Sequence, residues 1–142
     1  MKLTVRPLTP DLWPALEDLF GKNGACNGCW CMYWRLGSAY KNNASNNNKM
    51  AFRRVVNQGP PPGLLAFDGA LAVGWCQLTP RSALPWMDHT WRLKRVDEIP
   101  VWSLSCLYVR GYRSTFARAG FKTVACRTPA RPIMRYDFSI RR

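Results

Sequence analysis

The chain has 142 residues, 47% of them hydrophobic, and carries 21 Lys and Arg against 8 Asp and Glu for a net charge of +13. That length fits one domain with a core of its own, and the charge favours acidic partners such as nucleic acid, an anionic surface or a ligand with several phosphates. No run of 18 apolar residues occurs, so no transmembrane helix is expected.

The N-terminal MKLTVRPLTPD lacks the apolar stretch of an export signal. The expectation is a cytoplasmic protein with no membrane association, its six cysteines held as thiols. Lys2 to Arg6 alternates, with Leu3 and Val5 on one face, and reads as a first strand. Thr9 has the chemistry of a helix N-cap, with Pro10 at the first helical position and Asp11 in the first turn. Leu12, Leu16, Leu19 and Phe20 then share one helical face, and Gly21 and Gly24 end the helix.

Cys26, Cys29 and Cys31 fall within six residues, which raises zinc. A structural zinc site wants four ligands, commonly in two paired clusters; no second CxxC exists and His89 is the only histidine, so no metal is expected. The better reading is small residues packed under Trp30, Tyr33 and Trp34. Trp30, Trp34 and Arg35 are the candidate substrate-binding residues, with at least one of the two tryptophans expected in the core.

Leu36 to Lys49 contains NNASNNNK and reads as a mobile polar loop, with Asn48 capping a helix over 49–57 whose apolar contacts come from Met50, Phe52, Val55 and Val56. Gly59-Pro60-Pro61-Pro62-Gly63 is a stiff stop. LLAF-DG-ALAVGWCQL (64–78) is two apolar runs about Asp68-Gly69, a type I′ hairpin signal, and Gly74 in its second arm points to a bulge. Residues 81–100 are irregular. Trp86 and Trp91 beside Arg92, Lys94 and Arg95 offer bases a stacking platform, but no nucleic-acid-binding signature accompanies them, and tryptophans folded back onto the sheet are favoured.

Val101 to Val109 has no charge and no helix breaker and reads as a strand covered on both faces. The turn Arg110-Gly111-Tyr112-Arg113 follows, then a short helical run over 114–119 stopped by Gly120. A strand, a basic glycine turn and a helix together present backbone N–H groups to a phosphate. Between Ile99 and Tyr136 there are seven basic residues and no acid, so the positive field centres here. Two further strands are expected, over 122–127 and 133–138.

"CLYVRGYR" (106–113) and "STFARAGF" (114–121) resemble the central strand and turn and the last helix of the GNAT superfamily of N-acetyltransferases. "GCWCMYWR" (28–35), "PGLLAFDGALAVGWCQLTPR" (62–81), "VDEIPVWSLSCLYVR" (96–110) and "TPARPIMRYDF" (128–138) resemble one bacterial branch of it, so the likeness covers most of the chain. The resemblance implies one α/β domain (1–59, 63–110 and 111–142 as its parts) with a mixed, mostly antiparallel central sheet flanked by helices. It implies transfer of an acetyl group from acetyl-CoA to the amine of a small molecule or peptide. Leu107, Tyr108 and Val109 would then supply backbone donors to the oxyanion, and Arg110, Gly111, Tyr112 and Arg113 the cofactor phosphates. Asp97 and Glu98 are the candidate bases.

The chain departs from the family pattern in one place. Tyr112-Arg113 runs straight into Ser114, without the family's longer glycine-rich loop, its helix and the next strand, and the position of the family's acid tyrosine is Phe116. Only the eleven residues 110–120 separate Val109 from Phe121, against the dozen or more of a parallel crossover. Two alternatives stay open: a non-catalytic binding module whose uncovered sheet face a second copy covers, and a basic nucleic-acid binder.

Overall fold

The computed structural model describes residues 3–110, 122–126 and 132–135. Four strands, β1 (Leu3–Pro7), β2 (Gly63–Asp68), β3 (Leu71–Pro80) and β4 (Trp102–Val109), form an antiparallel sheet in the order β1-β2-β3-β4. Helices α1 (Trp13–Phe20), α2 (Tyr33–Leu36) and α3 (Ser45–Gln58) accompany it, so the chain is α/β. Strands β5 (Lys122–Cys126) and β6 (Pro132–Arg135) pair only with each other among the described residues. The sheet expected to be mixed is therefore antiparallel in every described pairing. The link between β4 and β5 is at the lower limit for a parallel crossover, and β5 finds an antiparallel partner in the nearby β6 instead.

The hairpin is where the apolar runs placed it, with its turn displaced by one residue. Asp68 pairs with Leu71, so the two loop residues are Gly69 and Ala70, of which only Gly69 has a positive φ, +61°. That is the type II′ pattern, with glycine at the first central position, rather than type I′. The bulge foreshadowed by Gly74 falls beside it. Ala66 pairs with Gly74 and Phe67 with Ala72, leaving Val73 as the extra residue. Its carbonyl accepts the Arg110 N–H at 2.9 Å.

A turn of 3-10 helix (Pro10–Leu12) leads into α1, with Pro10 and Pro14 at early positions where no N–H is needed. Thr9 has the extended backbone of a cap, but its side chain makes no cap hydrogen bond. Leu12, Trp13, Leu16, Leu19 and Phe20 are all buried. Their period places them on the core side of the helix. The core is aromatic: Trp13 stacks on Trp30 with centroids 6.0 Å apart, Phe20 meets Trp30 at 5.4 Å, and Phe52 meets Trp75 edge-on at 5.9 Å.

The polar stretch after Leu36 is ordered into structure that its composition hides. Gly37–Asn42 is 3-10 helix, and α3 begins at Ser45, four residues before the expected start. Asn48 is not its cap. The side chain is buried inside the helix, its Nδ2 donating to the carbonyls of Gly28 (2.9 Å) and Tyr40 (3.0 Å) and its Oδ1 accepting from Asn43 Nδ2 at 3.2 Å. Phe52 and Val56 are buried on the core face as expected, whereas Met50 is exposed.

Residues 81–101 make three short 3-10 turns (Arg81–Ala83, Pro85–His89, Trp91–Leu93). The excursion is closed at its base by Arg81 N–H donating to the Val101 carbonyl, 3.0 Å. Inside it the Arg81 guanidinium bonds Asp88 Oδ1 at 2.6 Å and also the Leu93 carbonyl. Trp86 covers Gly37 and stacks on His89 at 4.1 Å, while Trp91 points outward at 75% exposure with Arg92 over its ring. Among the described residues no helix is long and apolar enough to cross a membrane.

Candidate functional site

The centre of interest is an irregularity in β4. Gln77 pairs with Ser105 and Trp75 with Tyr108, so Cys76 alone faces the two residues Cys106 and Leu107. The extra residue is accommodated by Cys106 at φ +51°, the left-handed region that a non-glycine residue enters at a cost. Side-chain alternation shifts by one there. Trp102 and Leu104 are exposed before the bulge and Leu107 after it, while Tyr108 turns inward and packs edge-on against Phe20 at 5.6 Å. Nothing in the composition of SLSCLYV signals this, because it contains no glycine.

Polar and sulfur groups converge at the bulge. Gln77, fully buried, donates its Nε2 to Ser105 Oγ at 3.0 Å and approaches Cys106 Sγ at 3.8 Å. Trp75 Nε1 donates to Cys31 Sγ at 3.2 Å. The Cys31 thiol, with help from Ser105 and the charge of Arg35, holds the Cys106 thiol below its ordinary range despite burial. The Cys106 thiol, together with burial, pushes Cys31 well up. Burial raises Cys29 and Cys76.

Arg35 reaches this cluster from α2. Its Nη1 donates to the Ala83 carbonyl at 3.1 Å; its Nε and Nη2 are buried with no hydrogen-bond partner among the described residues. Burial lowers the guanidinium's proton affinity, and the sulfurs of Cys31 and Cys106 oppose that. Gln77 Oε1 is likewise buried and unpartnered among the described residues. Trp34 is half-buried with its ring edge-on to Tyr33 at 4.7 Å. Trp30 is a core residue, 1% exposed, with its Nε1 donating to Ser45 Oγ at 3.2 Å. Trp13 stacks on its ring, Phe20 packs tilted against it, and the Lys49 ammonium lies 5.3 Å from its centroid.

At the far end of β4, Arg110 is engaged by α1. Its Nη2 donates to the Asp18 carbonyl at 2.6 Å and to Asp18 Oδ2 at 2.8 Å. Gly111, Tyr112, Arg113 and Phe116 lie outside the described residues. Of the residues read as oxyanion donors, Leu107 is exposed, Tyr108 is partly buried against the core and Val109 pairs with Gly74.

Asp97 and Glu98 sit at the opposite end of the strand, beside a groove of about 700 Å³ lined by Arg81, Lys94, Arg95, Asp97, Glu98, Trp102 and their neighbours. Asp97 Oδ1 accepts the Ile99 N–H at 3.0 Å, and Glu98, its side chain 95% exposed, lies 3.9 Å from Arg95. Trp102 and Cys106 are four strand positions apart, roughly 13 Å at about 3.3 Å per residue. Neither carboxylate stands within hydrogen-bond reach of a group held at the bulge. Among the described residues no group of three metal-ligating side chains converges.

Protein-family models, curated proteins and solved structures provide no match to this chain.

Proposed function

We propose that the chain is a GNAT-like N-acetyltransferase in shortened form, which lays acetyl-CoA along β4 with the thioester at the bulge and the phosphates toward the basic turn. The observation that carries the reading is the extra residue at Cys106–Leu107, which interrupts the β3–β4 ladder just before Arg110. Backbone donors of residues 107–109 then lie beside a developing oxyanion, and Arg110 and Arg113 serve the phosphates. The acceptor is an amine. Asp97 and Glu98 have no part in proton removal on this reading, since they belong to the groove at the other end of the strand.

The test is calorimetric titration of acetyl-CoA and free coenzyme A into the wild type and an Arg110→Ala/Arg113→Ala variant. Micromolar binding that the double variant loses is the expected result; no binding to the intact protein overturns the reading.

A second reading, a non-catalytic module that dimerises, is favoured by the outward face of β4, where Trp102, Leu104 and Leu107 are exposed at 60%, 60% and 67%. Sedimentation equilibrium of the wild type and Leu104→Asp separates the two. A dimer that the variant dissolves, together with absent coenzyme binding, supports the module.

A further inference from the structure

The excursion between β3 and β4 leaves apolar side chains in water along its whole second half. Every residue from Trp91 to Trp102 is exposed. Trp91, Leu93, Val96, Ile99, Val101 and Trp102 are the large apolar ones, with Val96 at 96% and Ile99 at 67%. Arg81 draws the two limbs together, its N–H on the Val101 carbonyl and its guanidinium on the Leu93 carbonyl. Residues 94–102 line one groove with Pro80, Arg81 and Ser82. Leu104, exposed two positions beyond Trp102 on β4, carries the same face onward. Apolar side chains gathered in this way mark a contact surface, which singly scattered ones do not.

Charge is set among them. Arg92, Lys94 and Arg95 stand against Asp97 and Glu98, in a chain of net charge +13. Asp97 turns its Oδ1 to the Ile99 N–H, and Glu98 lies 3.9 Å from Arg95. Arg92 lies over the Trp91 ring, 5.4 Å from its centroid. Arg92 and Lys94 have no carboxylate within ion-pair distance among the described residues. A second copy would set these cations, and two net charges of +13, against each other. A single-stranded nucleic acid would use the indoles and the cations but would leave Val96, Ile99 and Val101 with nothing to pack on. An anionic bilayer uses all of them. Aliphatic side chains enter the acyl boundary, tryptophan rings sit at headgroup level, and Arg and Lys meet lipid phosphates. A chain that rests on such a surface needs neither a spanning run nor an export signal.

We propose that the Trp91–Trp102 face rests on an anionic lipid surface, with Val96 and Ile99 inserted and Arg92 and Lys94 on the lipid phosphates. The inference needs no coenzyme and does not depend on chemistry at the β4 bulge.

The experiment mixes the full chain with vesicles of phosphatidylcholine alone, or of phosphatidylcholine and phosphatidylglycerol in equal parts, and reads the bound fraction by co-sedimentation. The wild type should bind the mixed vesicles and bind phosphatidylcholine more weakly. Val96→Asp and Met50→Asp each remove one exposed apolar side chain and one net positive charge. Val96→Asp should weaken binding by more than about tenfold, and Met50→Asp, on α3, by far less. Lys94→Gln should weaken it by about fivefold, the worth of one cation near an anionic surface. No binding by the wild type overturns the proposal, as does an equal loss in Val96→Asp and Met50→Asp, which would show attraction by net charge alone. A thymidine oligonucleotide whose binding Val96→Asp weakens, while vesicle binding stays unchanged in that variant, gives the face to nucleic acid and overturns it. So does a dimer in sedimentation equilibrium that Val96→Asp dissolves while the wild type ignores vesicles. Because Val96 and Met50 are both exposed, neither variant removes a core contact.

Discussion

Asn48 allows two accounts of one residue to be separated by stability alone. As a helix cap it would be exchangeable with Ser or Asp at little cost, and Ala would cost about 1 kcal/mol. As the buried link seen here, it donates to two carbonyls from separate segments, Gly28 and Tyr40, at 2.9 and 3.0 Å and is 1% exposed. Removing it leaves those carbonyls and the Asn43 amide without that partner. The two lost carbonyl bonds at about 1 kcal/mol each, plus part of the desolvation penalty of those carbonyls and the lost Asn43 contact, give about 2–4 kcal/mol for Asn48→Ala. Asn48→Asp should be worse than Ala at neutral pH, because it sets carboxylate oxygens against two carbonyl oxygens. Burial would raise that carboxyl's folded pKa above its unfolded value. The excess cost is then present above the unfolded pKa, and it shrinks as pH falls and the group protonates. Urea titration followed by tryptophan fluorescence gives the ordering. Asp equal to wild type, or Ala within about 0.5 kcal/mol of it, refutes the buried-link account.

Four further outcomes follow from other contacts. Trp30→Ala should cost about 3–5 kcal/mol, as for a large core side chain, and Trp34→Ala clearly less, measured by the same denaturation; equal costs would contradict the burial of Trp30. Gly37→Ala drives a Cβ into the Trp86 ring at a φ of +63°, and should lose about 1–3 kcal/mol and several degrees of Tm. The Lys49 hydrogen bond holds the Glu17 carboxyl below its ordinary range. That increment is present above the unfolded pKa and disappears as pH falls through the folded value; for a pair about one-third exposed it is under about 1 kcal/mol. Lys49→Met should therefore flatten the acid limb of the stability profile slightly. Asp18→Asn should release the Arg110 guanidinium and tighten coenzyme A binding in calorimetry, by about tenfold if one charge-assisted contact is gained. Weakened binding would mean that the Asp18 pair positions Arg110 rather than competing for it.

The parts legible in the sequence are those whose cause is local. The α1 face follows from a helical period, and the β2–β3 hairpin from two apolar runs around a glycine. The turn was misplaced by one residue because Asp68-Gly69 fits type I′ on composition, whereas the cross-strand pairing of Asp68 with Leu71 makes Gly69 the first loop residue. The Asn-rich stretch misled because Asn48 acts through Gly28 and Tyr40, and Ser45 through Trp30, contacts that exist only after folding. The contacts at the β4 bulge were hidden for the same reason. Gln77 lies 28 and 29 residues from Ser105 and Cys106, and the bulge that brings them together bears no glycine. Arg35 was singled out for an acceptor pocket; its described hydrogen bond goes to the Ala83 carbonyl.

Arg81 has a wider consequence for how this chain can vary. It fastens the whole excursion from the end of β3 to the start of β4, by its own N–H at the base and by its guanidinium across the middle. A loop closed in this way answers to one side chain. Because closure entropy grows only with the logarithm of length, residues can be added or removed between its anchor points at small cost to the sheet. The groove beside Asp97 and Glu98 can therefore be remodelled independently of the β4 bulge, which makes it the natural place for related chains to differ in what they hold.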